Sequence, residues 1–223
     1  MMASWPCPTP DGGTASEHAF SCEGSGPVLL LIVPALFDEG NRLRRFTAQT
    51  MHALALRGIG SVLIDLPGTN ESLQPLGRMT LSGWQEAVAC AARHFSPSHV
   101  AALRGGAMLT GAAGIPTLSY APTGGATILR QMIRMRVLSA REAGREEKAE
   151  DLLAEGREAG IVLGGYALNA AMVAELEHAG PAPAATISHG DIGGGALWLR
   201  AEPGEDAGQA DALAARLADG CSA

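Results

Sequence analysis

Lysine is almost missing from this chain: Lys148 is the only one in 223 residues, and arginine supplies the other fifteen of the sixteen basic side chains. Acidic residues number 23, so the formal net charge is −7, which argues against a phosphate backbone as partner, since that requires clustered positive charge. A nucleic-acid surface is therefore not expected. Long hydrophobic runs are also lacking. The longest, residues 28–37, is about ten residues and contains Pro34, too short to cross a bilayer. The four cysteines, Cys7, Cys22, Cys90 and Cys221, lie far apart, with no Cys-x-x-Cys and no Cys/His ligand spacing. No zinc site, other metal or cofactor is expected, and free thiols in a reducing compartment fit this usage. The opening Met-Met-Ala-Ser-Trp-Pro has neither the basic nor the apolar region of a secretory leader. The expectation is a soluble, cytoplasmic protein.

What is present is a globular composition, 47% apolar and 17% charged, long enough for one α/β domain with a full core. Residues 1–27, rich in Pro, Gly, Ser and Thr, predict an extension with one weak strand near 17–22. Residues 28–33 form a continuous apolar run, as in a strand buried on both faces of a parallel sheet. A loop over 34–41, a helix over 43–57 closed by Gly58, and a strand over 61–65 follow. A helix over 82–94 leads into a strand over 99–103, and another strand is expected at 115–120. Residues 126–170 predict a helical cap, 196–201 a final strand and 207–218 a last helix. Alternating strand and helix imply right-handed βαβ units in a doubly wound, mostly parallel sheet. The expected domain covers 28–223.

The most informative segment is Ala102-Leu103-Arg104-Gly105-Gly106-Ala107. An α/β-hydrolase presents its nucleophile at such a strand-to-helix turn, in the form Gly-x-Ser-x-Gly. Here Ala102 stands at the first glycine, Gly106 at the last, and Arg104 at the serine. A guanidinium stays protonated at physiological pH and can be neither nucleophile nor base. Its fork and the Gly105 and Gly106 amides suit a carboxylate or phosphate instead.

Several segments together resemble the family called exosortase A system-associated hydrolase 2, which is α/β-hydrolase-like. They are Glu39, Asn41, Arg44 and Arg45 in Glu-x-Asn-x-x-Arg-Arg; Ile-Asp-Leu-x-Gly at 64–68; Leu-Arg-x-Gly-Ala at 103–107; the Leu-Arg-Gln-Met-Ile-Arg-Met-Arg-Val run at 129–137; and Gly165-Tyr166-x-Leu168. The resemblance covers roughly residues 28–218. It implies an α/β-hydrolase-like fold with arginine at the elbow, in bacteria that pair exopolysaccharide synthesis with an exosortase handling PEP-CTERM proteins. The chain departs from the family at Val33-Pro34, where the family tends to have His-Pro. It also reads as shortened at its C-terminal end, before the strand and loop that carry the histidine in ordinary hydrolases.

A Ser-His-acid triad needs a histidine oriented by a third group. Of the six histidines, His189, in a loop beside Asp191, is the candidate base. Asp206 matches the usual acid position but reads equally as the N-cap of the last helix. Asp65 and the 68–72 turn resemble a hydrolase turn, but capping explains them as well. The Gly193–Gly195 run lacks nucleotide-binding spacing.

Three readings stand. In the first, an accessory protein without serine-hydrolase chemistry, a pseudoenzyme, uses Arg104, Gly105, Gly106, Glu39, Asn41, Arg44 and Arg45 around the old cleft. It would bind a small anionic ligand or a protein of the exosortase and polysaccharide system. An Arg104–Glu39 ion pair that fills the cleft is the competing role for the same residues. In the second, an ester or thioester hydrolase uses a hydroxyl of Ser72, Ser119 or Thr123. In the third, a structural homodimer pairs through the Met-rich helix.

Overall fold

The computed structural model describes residues 1–222; Ala223, the last residue of the expected domain, lies outside them. The N-terminal segment is more than an extension with one weak strand. It is a hairpin of β1 (Met2–Pro8) and β2 (Thr14–Cys22), turned at Gly12 with φ +82°. Alternation explains it: Trp5, Cys7, Glu17 and Ala19 point inward from the two strands while their neighbours face water.

Then come β3 (Leu29–Val33), α1 (Asp38–Leu56), β4 (Gly60–Ile64), α2 (Leu81–Phe95) and β5 (His99–Leu103). The chain continues through β6 (Thr117–Tyr120), α3 (Gly125–Glu142), α4 (Ala149–Ala159), the hairpin β7 (Ile161–Leu163) and β8 (Tyr166–Leu168), and α5 (Ala170–His178). It closes with β9 (Ala185–Ile187) and α6 (Ala207–Cys221). The main sheet runs β1-β2-β4-β3-β5-β6-β9, with β4, β3, β5, β6 and β9 parallel and the N-terminal hairpin antiparallel. This is the doubly wound, mostly parallel sheet expected.

Successive strand residues feed opposite cores. Leu31, Val33, Val100 and Ala102 pack with α2 and the cap, whereas Leu30, Ile32, Ala101 and Leu103 pack with α1 and α6. Functional residues are thereby gathered at the C-terminal ends of β3, β5, β6 and β9, where ligands bind in open α/β sheets.

Four expectations need correction. Helix α1 begins at Asp38, so Glu39 and Asn41 sit in its first turn and not on a loop. The elbow is followed by a 3-10 turn, Arg104–Leu109, in place of an α-helix, because two glycines open it and Gly111, Gly114 and Pro116 follow. The cap contains a β-hairpin and continues through α5 to His178. Residues 196–201 are not a strand: Leu197–Leu199 form a 3-10 turn that presses Leu197 and Trp198 onto the core beside α1. The last strand of the sheet is β9. A short apolar run does not reveal by its period whether it pairs or packs.

Candidate functional site

The elbow geometry survives without the nucleophile. Arg104 leaves β5 with φ +51°, a left-handed backbone that non-glycine residues avoid. Two residues on, a Cβ at Gly106 would stand 2.4 Å from the Pro34 carbonyl oxygen, so only glycine lets β5 and β3 approach this closely. Two residues before Arg104, Ala102 is in register with Val33 of β3, and its small side chain is tolerated there. The turn is roofed by apolar side chains. A Cβ at Gly105 would meet Ile128 Cδ1 at 2.6 Å and Leu36 Cγ at 3.1 Å.

The Arg104 side chain is buried and its nitrogens are engaged. Nε donates to Glu39 Oε2 at 3.1 Å, Nη2 to Glu39 Oε1 at 3.0 Å, and Nη1 to the Ala121 carbonyl at 2.6 Å. The fork is bidentate, the strongest arrangement for this pair. Trp198 lies against the guanidinium, 4.1 Å from its carbon to the ring centroid, a cation–π contact in a dry setting. The expected Arg104–Glu39 pair is thus present. Trp198 and the Ala121 carbonyl are the partners that sequence reasoning missed. The apolar run around Trp198 predicts a strand where the chain makes a 3-10 turn, and no residue-type signal marks a backbone carbonyl.

His189 stands beside this stack, 4.9 Å from Trp198 centroid to centroid. Its Nε2 is 3.2 Å from the Gly194 carbonyl, which can only accept, so Nε2 carries the proton. Nδ1 then accepts from the Tyr120 hydroxyl at 2.9 Å. Burial raises the Tyr120 pKa well above its ordinary value, the nearby Arg104 charge opposing only in part, so the phenol stays a donor. Asp191 does not orient His189. Its Oδ2 accepts from Ser188 nitrogen and hydroxyl, both at 2.7 Å, and these bonds hold its carboxyl below the usual range. Asp206 is the N-cap of α6, accepting from the Gln209 amide at 3.0 Å, which lowers its pKa. The two candidate catalytic residues do not form a dyad.

The remaining residues disperse. Asn41 Nδ2 donates to the Tyr166 hydroxyl at 2.9 Å, tying α1 to the cap hairpin. Burial first, then the Asp38 charge, pushes the Tyr166 pKa up to about 12. Arg45 pairs with Glu205, away from the elbow, and Arg44 faces a groove on the other side of α1's first turns. Arginines 44 and 45 therefore do not converge with Arg104 on one point, because successive helix residues diverge by about 100°. Of the three hydroxyls, Ser72 Oγ donates to buried Glu17 at 3.0 Å and accepts from the Gly68 and Gln74 amides. Ser119 is buried mid-strand with no hydrogen-bond partner, and Thr123 Oγ1 has none either among the described residues. Among the described residues no histidine ring is hydrogen-bonded to any of the three.

The groove measures about 990 Å³ and opens between α1, the C-terminal end of β4 and the cap hairpin, with Phe37, Arg44, Asp65, Trp84 and Tyr166 in its walls. Arg104 is not among its lining residues. Among the described residues no group of three His, Cys, Asp or Glu side chains could hold a metal ion, and no helix is long and apolar enough to cross a membrane.

Comparison of the fold with solved structures returns α/β-hydrolases. Est1E of Butyrivibrio proteoclasticus, solved with ferulic acid bound, is similar over 73% of this chain and 67% of its own, with 14% identity and a TM-score of 0.51. An α/β serine hydrolase without a lid from Xanthomonas campestris is similar over 56% of this chain and 62% of its own, at 18% identity and a TM-score of 0.43. An α/β serine hydrolase homologue from Coxiella burnetii is similar over 54% and 62%, at 15% identity and 0.41. Across eight such structures the chain spans 43–67% of the matched protein's length. No family model matches the sequence, and no curated protein does. The chain therefore has the α/β-hydrolase fold, and the likeness extends to the fold alone.

Proposed function

We propose that this protein uses a hydrolase fold for binding and not for hydrolysis, as an accessory protein of a bacterial exosortase and exopolysaccharide system. One observation carries the first half: the nucleophile position is filled by an arginine whose fork is closed by Glu39 and covered by Trp198. Serine hydrolysis needs a nucleophile, a base in reach and an open position for the carbonyl carbon. At this elbow the first is replaced, the second is turned to Tyr120, and the third is occupied. Anion binding at Arg104 itself loses its basis, since that charge is neutralised in place. The open surface is the neighbouring groove, where a small ligand or a segment of a partner protein has room. The exosortase assignment rests on the ordered set of segments from Glu39 to Leu168 described above.

The test is turnover of p-nitrophenyl acetate, butyrate and octanoate and of acyl thioesters. Rates indistinguishable from an Arg104→Ala control, and from buffer, are expected. Saturable turnover by the wild-type protein would remove the non-hydrolytic reading.

A further inference from the structure

We propose that the groove beside the closed elbow is a binding site for a monoanionic amphiphile, a carboxylate on an apolar body, with Arg44 as its anchor. The inference rests on the non-hydrolytic reading only in treating the groove, and not the elbow, as the place a ligand occupies.

The run that opens α1 carries Glu39, Asn41, Arg44 and Arg45. Glu39 is consumed by Arg104, Asn41 by Tyr166 and Arg45 by Glu205. Arg44 alone of these four has no ion pair and no hydrogen-bonded partner among the described residues, and it is the one cation in the groove wall. Its helix position explains the aim. Residues 41, 44 and 48 share one face of α1 and all three line the groove, and Arg45 does not.

Part of the groove's lining is apolar and fixed. Phe37 is wedged between Trp84 and Tyr166, with centroids 5.7 Å and 5.3 Å away. Trp84 is held by its indole bond to the Pro67 carbonyl at 2.9 Å, and Tyr166 by Asn41. A volume of 990 Å³ exceeds what a headgroup alone fills and suits a molecule with a tail. Asp65 and Glu71 also line the groove, and Asp65 already accepts from Asn70 at 2.7 Å. The guanidinium of Arg44 offers a fork that a single carboxylate matches, and Asp65 and Glu71 in the same walls weigh against a doubly charged phosphate more than against one negative charge.

Titration calorimetry with octanoate, octylamine and octyl phosphate tests this, with chemical-shift mapping locating the site. Wild type is expected to bind octanoate and not octylamine, with octyl phosphate weaker. Arg44→Gln should weaken octanoate about tenfold or more, Arg44→Lys should weaken it less, and both variants should melt as wild type does because Arg44 is exposed. Absence of octanoate binding, equal binding by Arg44→Gln, or equal binding of octylamine would each overturn the proposal. None of those results touches the ester-turnover test, so the two readings fail separately.

Discussion

Arg104 holds a backbone conformation that costs on the order of 1–3 kcal/mol, and Phe37 and Ala121 nearby also have positive φ. Arg104 and Ala121 follow the ends of β5 and β6, and Phe37 is the N-cap of the helix that carries Glu39, so the pair pins strained turns as well as a charge. Removing one partner leaves the other buried and uncompensated. Glu39→Gln and Arg104→Met should each destabilise by about 3–5 kcal/mol in urea unfolding. The Arg104→Met/Glu39→Leu double variant should cost clearly less than the sum, because the second substitution removes the orphaned charge. Additive costs would show that the two side chains act independently. Tyr120→Phe belongs to the same scale: loss of its bond to His189 should cost about 1 kcal/mol in the same assay. An unchanged midpoint would contradict the assigned hydrogen bond.

The cap shares a buried core with β3, β5 and α2, and a few polar contacts fix its position on the body. Asn169 caps α5 by accepting from the Met172 amide at 2.8 Å, and its Nδ2 donates to the Gly77 and Met79 carbonyls at 3.0 Å. Asn169→Ala should therefore cost roughly 1–2 kcal/mol and raise hydrogen exchange in α5 and in the 76–79 turn together. Exchange confined to α5 would show that the cap does not depend on this contact. Tyr166 adds a pH dependence. Its folded pKa of about 12 lies above the ordinary 10, so the folded state favours the protonated phenol. That contribution is complete below pH 10 and is lost as pH rises towards 12. The difference in Tm between wild type and Tyr166→Phe should shrink over that window and be flat below it; a difference independent of pH would refute the linkage.

Elements with a strong period or an unambiguous stop were legible in the sequence: β3, β5, α2 and α6, with Asp206 as the cap of α6. The N-terminal hairpin was hidden by a polar composition in which only alternate residues face inward. The start of α1 was hidden because its N-cap residue, Phe37, uses backbone strain and no side-chain cap. At the site, the Arg104–Glu39 pair could be read because a buried guanidinium needs an acid. Trp198 and the Ala121 carbonyl could not, since both arrive from chain segments whose position depends on the whole sheet.

At the scale of the molecule, the parallel sheet delivers β3, β5, β6 and β9 to one edge, and the edge that would hold a triad holds a closed ion-pair and aromatic stack. Beside it, the same sheet and the cap hairpin leave a groove open. The proposed non-hydrolytic role requires that no hydroxyl of this fold be activated as a nucleophile. Intact-mass analysis after exposure to a fluorophosphonate probe at pH 7–9 tests that requirement most directly. An unmodified protein is expected, for wild type and for Arg104→Ser alike, since His189 is committed to Tyr120 and cannot serve the elbow. A stoichiometric adduct on a single serine of the wild-type chain would contradict it.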